Sequence, residues 1–217
     1  MPLINSITSS DIERLDQAQL VTLLRILLAC EARDQIAATH VPNGITVGDD
    51  GEDGRWDGPA VPPNIPNPFT VFQVKASDFG PADCYNEIFV IPPPKAKVKK
   101  AKVPKSPPIK LQAKPIWKEI EARKGTFIFF CHKGAVQSGG DGKKGIAGRL
   151  TQARMALKEC GVTVTASQLD FFDGNKIAAW ANKFIAAIIF VHECQGKLNK
   201  RRGRILSILW VRRKIDL

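Results

Sequence analysis

The chain has 217 residues, 44% apolar and 24% charged, the composition of a globular protein able to bury a core as one large or two small domains. Its net charge of +11 is unevenly spread: residues 1–91 hold 5 Lys/Arg against 13 Asp/Glu, net −8, and residues 92–217 hold 27 against 8, net +19. No apolar run approaches the ~20 residues that span a bilayer, and Met1–Ser10 lacks a basic segment followed by an apolar one, so a membrane-spanning or exported chain is not expected.

The first predicted element is a helix with Asp16 as N-cap and Gln19 as its capping-box partner, running to about Ala38. Leu20, Leu23, Leu24, Leu27 and Leu28 share one stripe, and Glu31 falls in its middle. A carboxylate is thereby aimed at the interior, where it needs a charge partner that a divalent ion would supply; its alternative is the solvent-facing end of the helix. A strand is predicted at Ile45-Thr46-Val47, leading into Gly48-Asp49-Asp50-Gly51-Glu52-Asp53-Gly54, where acids crowd among glycines. An EF-hand calcium loop is ruled out because the D-x-[DN]-x-[DN]-G spacing and terminal Glu are missing, so Asp49, Asp50 and Glu52 read as solvated turn residues. If Arg55–Asp57 begins a strand, Arg55 and Asp57 share a face, and Asp57 looks toward Gln73 and Lys75 across a hairpin.

Pro59–Pro68 has no periodicity and reads as the loop between two strands. Phe69–Ala76 is apolar and β-prone, with Val71, Gln73 and Lys75 on one face and Thr70, Phe72 and Val74 on the other. A turn at Ser77–Pro81 precedes a short helix over Ala82–Phe89 with Tyr85, Ile88 and Phe89 inward.

Residues 92–115 carry eight lysines and no acid among prolines, a composition that cannot bury enough apolar surface to order itself. They read as a basic arm or linker. Beyond it, Ile116–Arg123 predicts a helix closed by Gly125, Thr126–Cys131 a strand buried on both faces, and residues 146–160 a helix ending at Gly161. Val162–Val164 reads as a strand, Gly174–Phe184 as a helix after Phe171-Phe172-Asp173, and Ala187–Val191 as a further core strand. The organisation expected is a core at 1–91, the basic linker 92–115, an α/β continuation at 116–196 and a basic tail at 197–217.

Ser138–Lys144 lacks G-x-x-x-x-G-K-[ST] and reads as a flexible glycine loop, with nucleotide binding the lesser alternative. His40, His132 and His192 have no spacing that implies a metal or catalytic pair. Five cysteines without a C-x-x-C pair indicate neither a disulfide framework nor a zinc site, and a reducing cytoplasm is expected.

A carboxylate-rich turn, followed by a strand presenting an amide oxygen and an ammonium on one face, suits a hard cation beside a polarised water, as phosphodiester hydrolysis requires. The order Glu52-Asp53-Gly54-Arg55-Trp56-Asp57-Gly58 and then Phe72-Gln73-Val74-Lys75 resembles the PD-(D/E)xK nuclease superfamily. Within it, the motif is similar to Mrr-type restriction endonucleases and to nuclease domains heading bacterial antiphage effectors, where Gln often replaces the middle acid.

That resemblance implies an α/β, restriction-endonuclease-like fold: a central mixed sheet flanked by helices, here with a Pro/Lys-rich insertion. It implies a Mg²⁺-dependent DNA endonuclease, Mn²⁺ serving as substitute, acting in restriction or antiphage defence. By position Asp57 matches the family's strand aspartate and Asp53 the acid of the preceding turn, in that order of preference, and Glu31 matches a first-helix Glu. Gln73 would add a neutral oxygen ligand, and Lys75 would orient water and stabilise developing charge. Because such modules are often fused to ATPase sensors, the chain would be either a stand-alone nuclease, as a monomer or homo-oligomer, or the front of a longer effector. The basic half is expected to grip DNA phosphates. The rival expectations are a non-catalytic nucleic-acid-binding protein and a nucleotide-sensing module built on the Gly139 region.

Overall fold

The sheet is built around two β-prone apolar runs, Phe69–Ala76 and Thr126–Cys131, which lie side by side in it. The computed structural model describes residues 6–32, 36–41, 52–90, 111–133 and 145–197. Among these, five strands pair in chain order: β1 (Thr39–His40), β2 (Gly54–Asp57), β3 (Phe69–Asp78), β4 (Thr126–Lys133) and β5 (Leu169–Phe172). The pairs β1–β2 and β2–β3 are antiparallel, and β3–β4 and β4–β5 are parallel. The molecule is an α/β protein with an open mixed sheet flanked by helices.

Alternation along the strands sends side chains into two separate cores. Phe72, Val74, Ile128, Phe130 and Phe172 face α1 (Ser9–Ile12), α2 (Gln17–Ala32), α6 (Gly174–Ala181) and α7 (Ile185–Cys194). Phe69, Val71, Phe127, Phe129, Cys131, Leu169 and Phe171 face α3 (Pro81–Asn86), α4 (Pro115–Arg123) and α5 (Ile146–Glu159). Since β3 pairs with β4 across the basic arm, the chain on either side of that arm belongs to one sheet. The arm's ends also meet: the Val90 N–H bonds the Gln112 carbonyl at 3.0 Å, and the Lys114 N–H bonds the Ile88 carbonyl at 2.9 Å. It is an insertion rather than a spacer between two bodies.

The predicted capping box is present, Asp16 accepting the Gln19 N–H at 2.8 Å and Gln19 the Asp16 N–H at 3.0 Å, and all five stripe leucines are fully buried. The helix it opens is described over Gln17–Ala32, and Ile36–Ala38, expected as its end, is instead a 3₁₀ turn that leads into β1. The strand before α3 does not yield to a turn at Ser77, as its sequence suggests, but runs on to Asp78.

Three other expectations change. Ala187–Val191 is the middle of helix α7, because a short apolar run is ambiguous between a buried strand and a helix packed on one. Its neighbours are α2 and α6. Val162–Val164 forms no strand: Thr163 gives its N–H to the Glu121 carboxylate at 2.7 Å, and the sheet is completed by Leu169–Phe172. At the end of α4 the left-handed residue is Lys124, φ 52°, and Gly125 is needed for a different reason. A Cβ at Gly125 would lie 2.4 Å from the Phe69 ring and 2.8 Å from its carbonyl oxygen. No helix among the described residues is long and apolar enough to cross a membrane. The Ile45–Val47 run, Asp49, Asp50, the Gly139 loop and the tail beyond Lys197 lie outside the described residues.

Candidate active site on β3

Gln73 and Lys75 project from β3 on the face shared with Val71, as the alternation predicted. Asp53 joins them from the end of β2. Its N–H bonds the Phe72 carbonyl at 2.8 Å, and its Oδ2 accepts the Val74 N–H at 2.7 Å, taking over the sheet ladder where β2 stops. The same oxygen accepts Gln73 Nε2 at 2.7 Å. This fixes the amide with its carbonyl turned the other way. Gln73 is 4% exposed, and its Oε1 is buried with no hydrogen-bond partner among the described residues. A buried amide oxygen left bare costs about 1–3 kcal/mol, so it marks a place where a donor or cation is wanted.

Lys75 is held by a residue that the sequence did not bring forward. Its Nζ lies 3.1 Å from Glu87 Oε2, and the other oxygen of Glu87 takes Lys114 Nζ. The side chains of Glu87, Lys114 and Lys75 are 16%, 19% and 27% exposed, so this is a half-buried lysine–glutamate–lysine chain rather than a surface pair. The Phe79 ring lies 5.9 Å from Lys75 Nζ, and Arg149 Nε, buried behind it, holds the Phe79 carbonyl at 2.6 Å. In the sequence Glu87 is an isolated acid and Lys114 merely the last lysine of the arm. Only the pairing of residues 88–90 with 112–114 sets them beside Lys75.

Beyond Asp53, the exposed edge of β3 is closed by Gln17. Its Nε2 donates to the Val74 carbonyl at 2.9 Å and its Oε1 accepts the Ala76 N–H at 2.8 Å, as a neighbouring strand would. A cleft of about 450 Å³ opens there, lined by Glu13, Arg14, Leu15, Asp16, Gln17, Ala76 and Ser77.

The two remaining sequence candidates lie elsewhere. Asp57 sits opposite Phe69, four positions from Gln73, about 13 Å away at ~3.3 Å per strand residue. It faces α4, where Arg123 grips it with two bonds of 3.0 and 2.6 Å, and this hydrogen-bonded guanidinium holds its carboxyl below the usual range. Arg55 runs the network on through Glu119 and Glu52, and Arg123 stacks 3.9 Å above the Phe69 ring. Glu31 belongs to the opposite core. Its Oε1 accepts Trp180 Nε1 at 2.8 Å and Asn64 Nδ2 at 3.1 Å, so two neutral donors serve the buried end of α2 where a cation was expected.

Comparison with family models, with curated proteins and with solved structures returned no match.

The arrangement therefore joins Asp53 to Gln73, keeps Lys75 two positions along the same strand face with its ammonium on Glu87, and leaves Asp57 and Glu31 outside it. Among the described residues no three His, Cys, Asp or Glu side chains converge as a ready metal cage. One carboxylate beside one amide, which meets it through Nε2, is a lean donor set. It fits an ion such as Mg²⁺, which keeps several waters and takes few protein ligands, better than Zn²⁺ or Ca²⁺, which ask for fuller protein shells.

Proposed function

We propose that this protein is a Mg²⁺-dependent DNA endonuclease of restriction-endonuclease-like architecture, with its centre at Asp53, Gln73 and Lys75. The observation that carries the reading is the buried Oε1 of Gln73, without a partner among the described residues, on an amide that touches the Asp53 carboxylate and stands two residues from Lys75 on one strand face. Asp53 would hold the metal, and Gln73 would join it once its amide turns so that Oε1 instead of Nε2 faces the carboxylate. Mg²⁺ bound there supplies a lowered pKa for water and offsets charge on the phosphate being cleaved.

The chain's own residues do the rest. Asp53 contributes the anionic ligand, and the Gln73 amide beside it is the source of a neutral oxygen. Lys75 presents an ammonium to the charge that develops on the non-bridging phosphate oxygens. The strongly basic residues 92–217 supply sequence-independent attraction to the backbone. The role first matched to Asp57 passes to Asp53, because register puts Asp53 and not Asp57 beside Gln73.

The test is cleavage of plasmid and linear duplex with Mg²⁺, Mn²⁺ or Ca²⁺. Asp53→Asn and Lys75→Ala should each lower the Mg²⁺-supported rate by about 10²-fold or more, the usual loss when a group acting on the reacting atoms is removed. Wild-type rates in either variant would defeat the assignment. Retention of DNA without cleavage under any divalent ion would leave a non-catalytic binding protein.

A further inference from the structure

Glu87 is the least expected member of the cluster, and its geometry is specific. Each carboxylate oxygen is committed to a different ammonium, one from the middle of the sheet and one from the base of the basic insertion. Lys114 is not there by chance of a long side chain: its backbone N–H is bonded to Ile88, one residue from Glu87, at 2.9 Å, and it is the N-cap of α4. Both lysines are thus delivered to one point by fixed elements, half-shielded from water, with one negative charge between them.

A phosphodiester carries the same pattern, a single negative charge shared by two non-bridging oxygens. Resting on the nuclease reading above, we propose that Lys75 and Lys114 form a two-lysine clamp for one backbone phosphate of DNA, and that the Glu87 carboxylate occupies the clamp until that phosphate displaces it. Lys114 is then a substrate-binding residue, and Glu87 is a built-in competitor for the same two ammoniums. The clamp lies on the face of β3 that carries Gln73, so the phosphate it holds is next to the candidate centre.

The experiment measures binding rather than cleavage: fluorescence anisotropy of a labelled DNA duplex with the full chain, without divalent ions, across a series of salt concentrations. Lys114→Gln should weaken binding at low salt several-fold and reduce the slope of log K against log salt by about one, the loss of a single phosphate contact. Lys114→Arg, which keeps the charge, should retain the slope. Glu87→Gln should tighten binding, because the competing anion is gone. Lys183→Gln, beyond α6 on the opposite core, serves as the control and should leave the slope unchanged.

An unchanged slope in Lys114→Gln, or weaker binding in Glu87→Gln, overturns the clamp even if the wild type cleaves DNA. Absence of any salt-dependent DNA binding by the wild type sinks the nuclease reading and the clamp with it.

Discussion

Asp53 and Asp57 are four residues apart and have different surroundings because β2 ends between them. Asp57 is inside the strand, paired opposite Phe69, and its carboxylate meets the guanidinium of Arg123; Asp53 is one residue before the strand and replaces a ladder partner of β3. The Asp57–Arg123 pair has a pH signature. Since the hydrogen bond from Arg123 lowers the folded-state pKa of Asp57, its contribution is present above the unfolded value of about 3.9 and is lost as pH falls through the folded value. The pair is 51% and 38% exposed, so solvent screening keeps the contribution to about 1 kcal/mol or less. Urea unfolding of Asp57→Asn should show that small deficit at neutral pH and none near the acid limit. A deficit that persists unchanged in acid would mean that Asp57 stabilises the fold by some other means.

At the scale of elements, the informative feature is how an incomplete strand pairing is finished by side chains. β2 covers β3 only as far as Phe72, and the next three edge groups are met by the Asp53 carboxylate and the Gln17 amide. Gln17 is the first residue of α2, so the Asp16–Gln19 capping box that starts this helix also sets the amide against the sheet. Replacing Gln17 with Ala removes two hydrogen bonds at the mouth of the cleft, where water can reach the freed groups, and should cost about 1–2 kcal/mol in chemical denaturation. Gln17→Glu should cost at least as much, since a carboxylate cannot donate to the Val74 carbonyl. A Glu variant as stable as wild type would argue that the amide is not closing the edge.

For the whole molecule, the sheet passes uninterrupted from β3 to β4 while the chain detours through its most basic segment. The detour begins and ends at paired backbone, Val90 with Gln112. The sheet therefore does not depend on the length or composition of the segment, whereas the attraction for a polyanion does. Excising residues 93–109 and joining the ends through about four Gly/Ser residues, an ordinary loop length, should leave the thermal unfolding midpoint within a few degrees of wild type. The salt dependence of DNA binding should become markedly shallower. A collapse of the unfolding transition would show that the segment contributes to the core.

The sequence by itself determined the features written in local periodicity. The leucine stripe of α2, its capping box, the two-faced alternation of β3 and the apolar run Phe127–Cys131 of β4 follow from side-chain pattern alone, because a residue's face is fixed by its position in a strand or helix. That pattern was enough to place Gln73 and Lys75 together. Which acid meets them depended on register, a long-range quantity that the loop at 58–68 does not encode in its composition, and so Asp57 was preferred over Asp53. The direction taken by Glu31 followed from its helix, but its partners, Trp180 and Asn64, come from distant parts of the chain. Glu87 and Lys114, 27 residues apart, meet only because the backbone beside each is paired. Tertiary structure decided these contacts because they are set by how the chain returns to the sheet, and no local pattern carries that information.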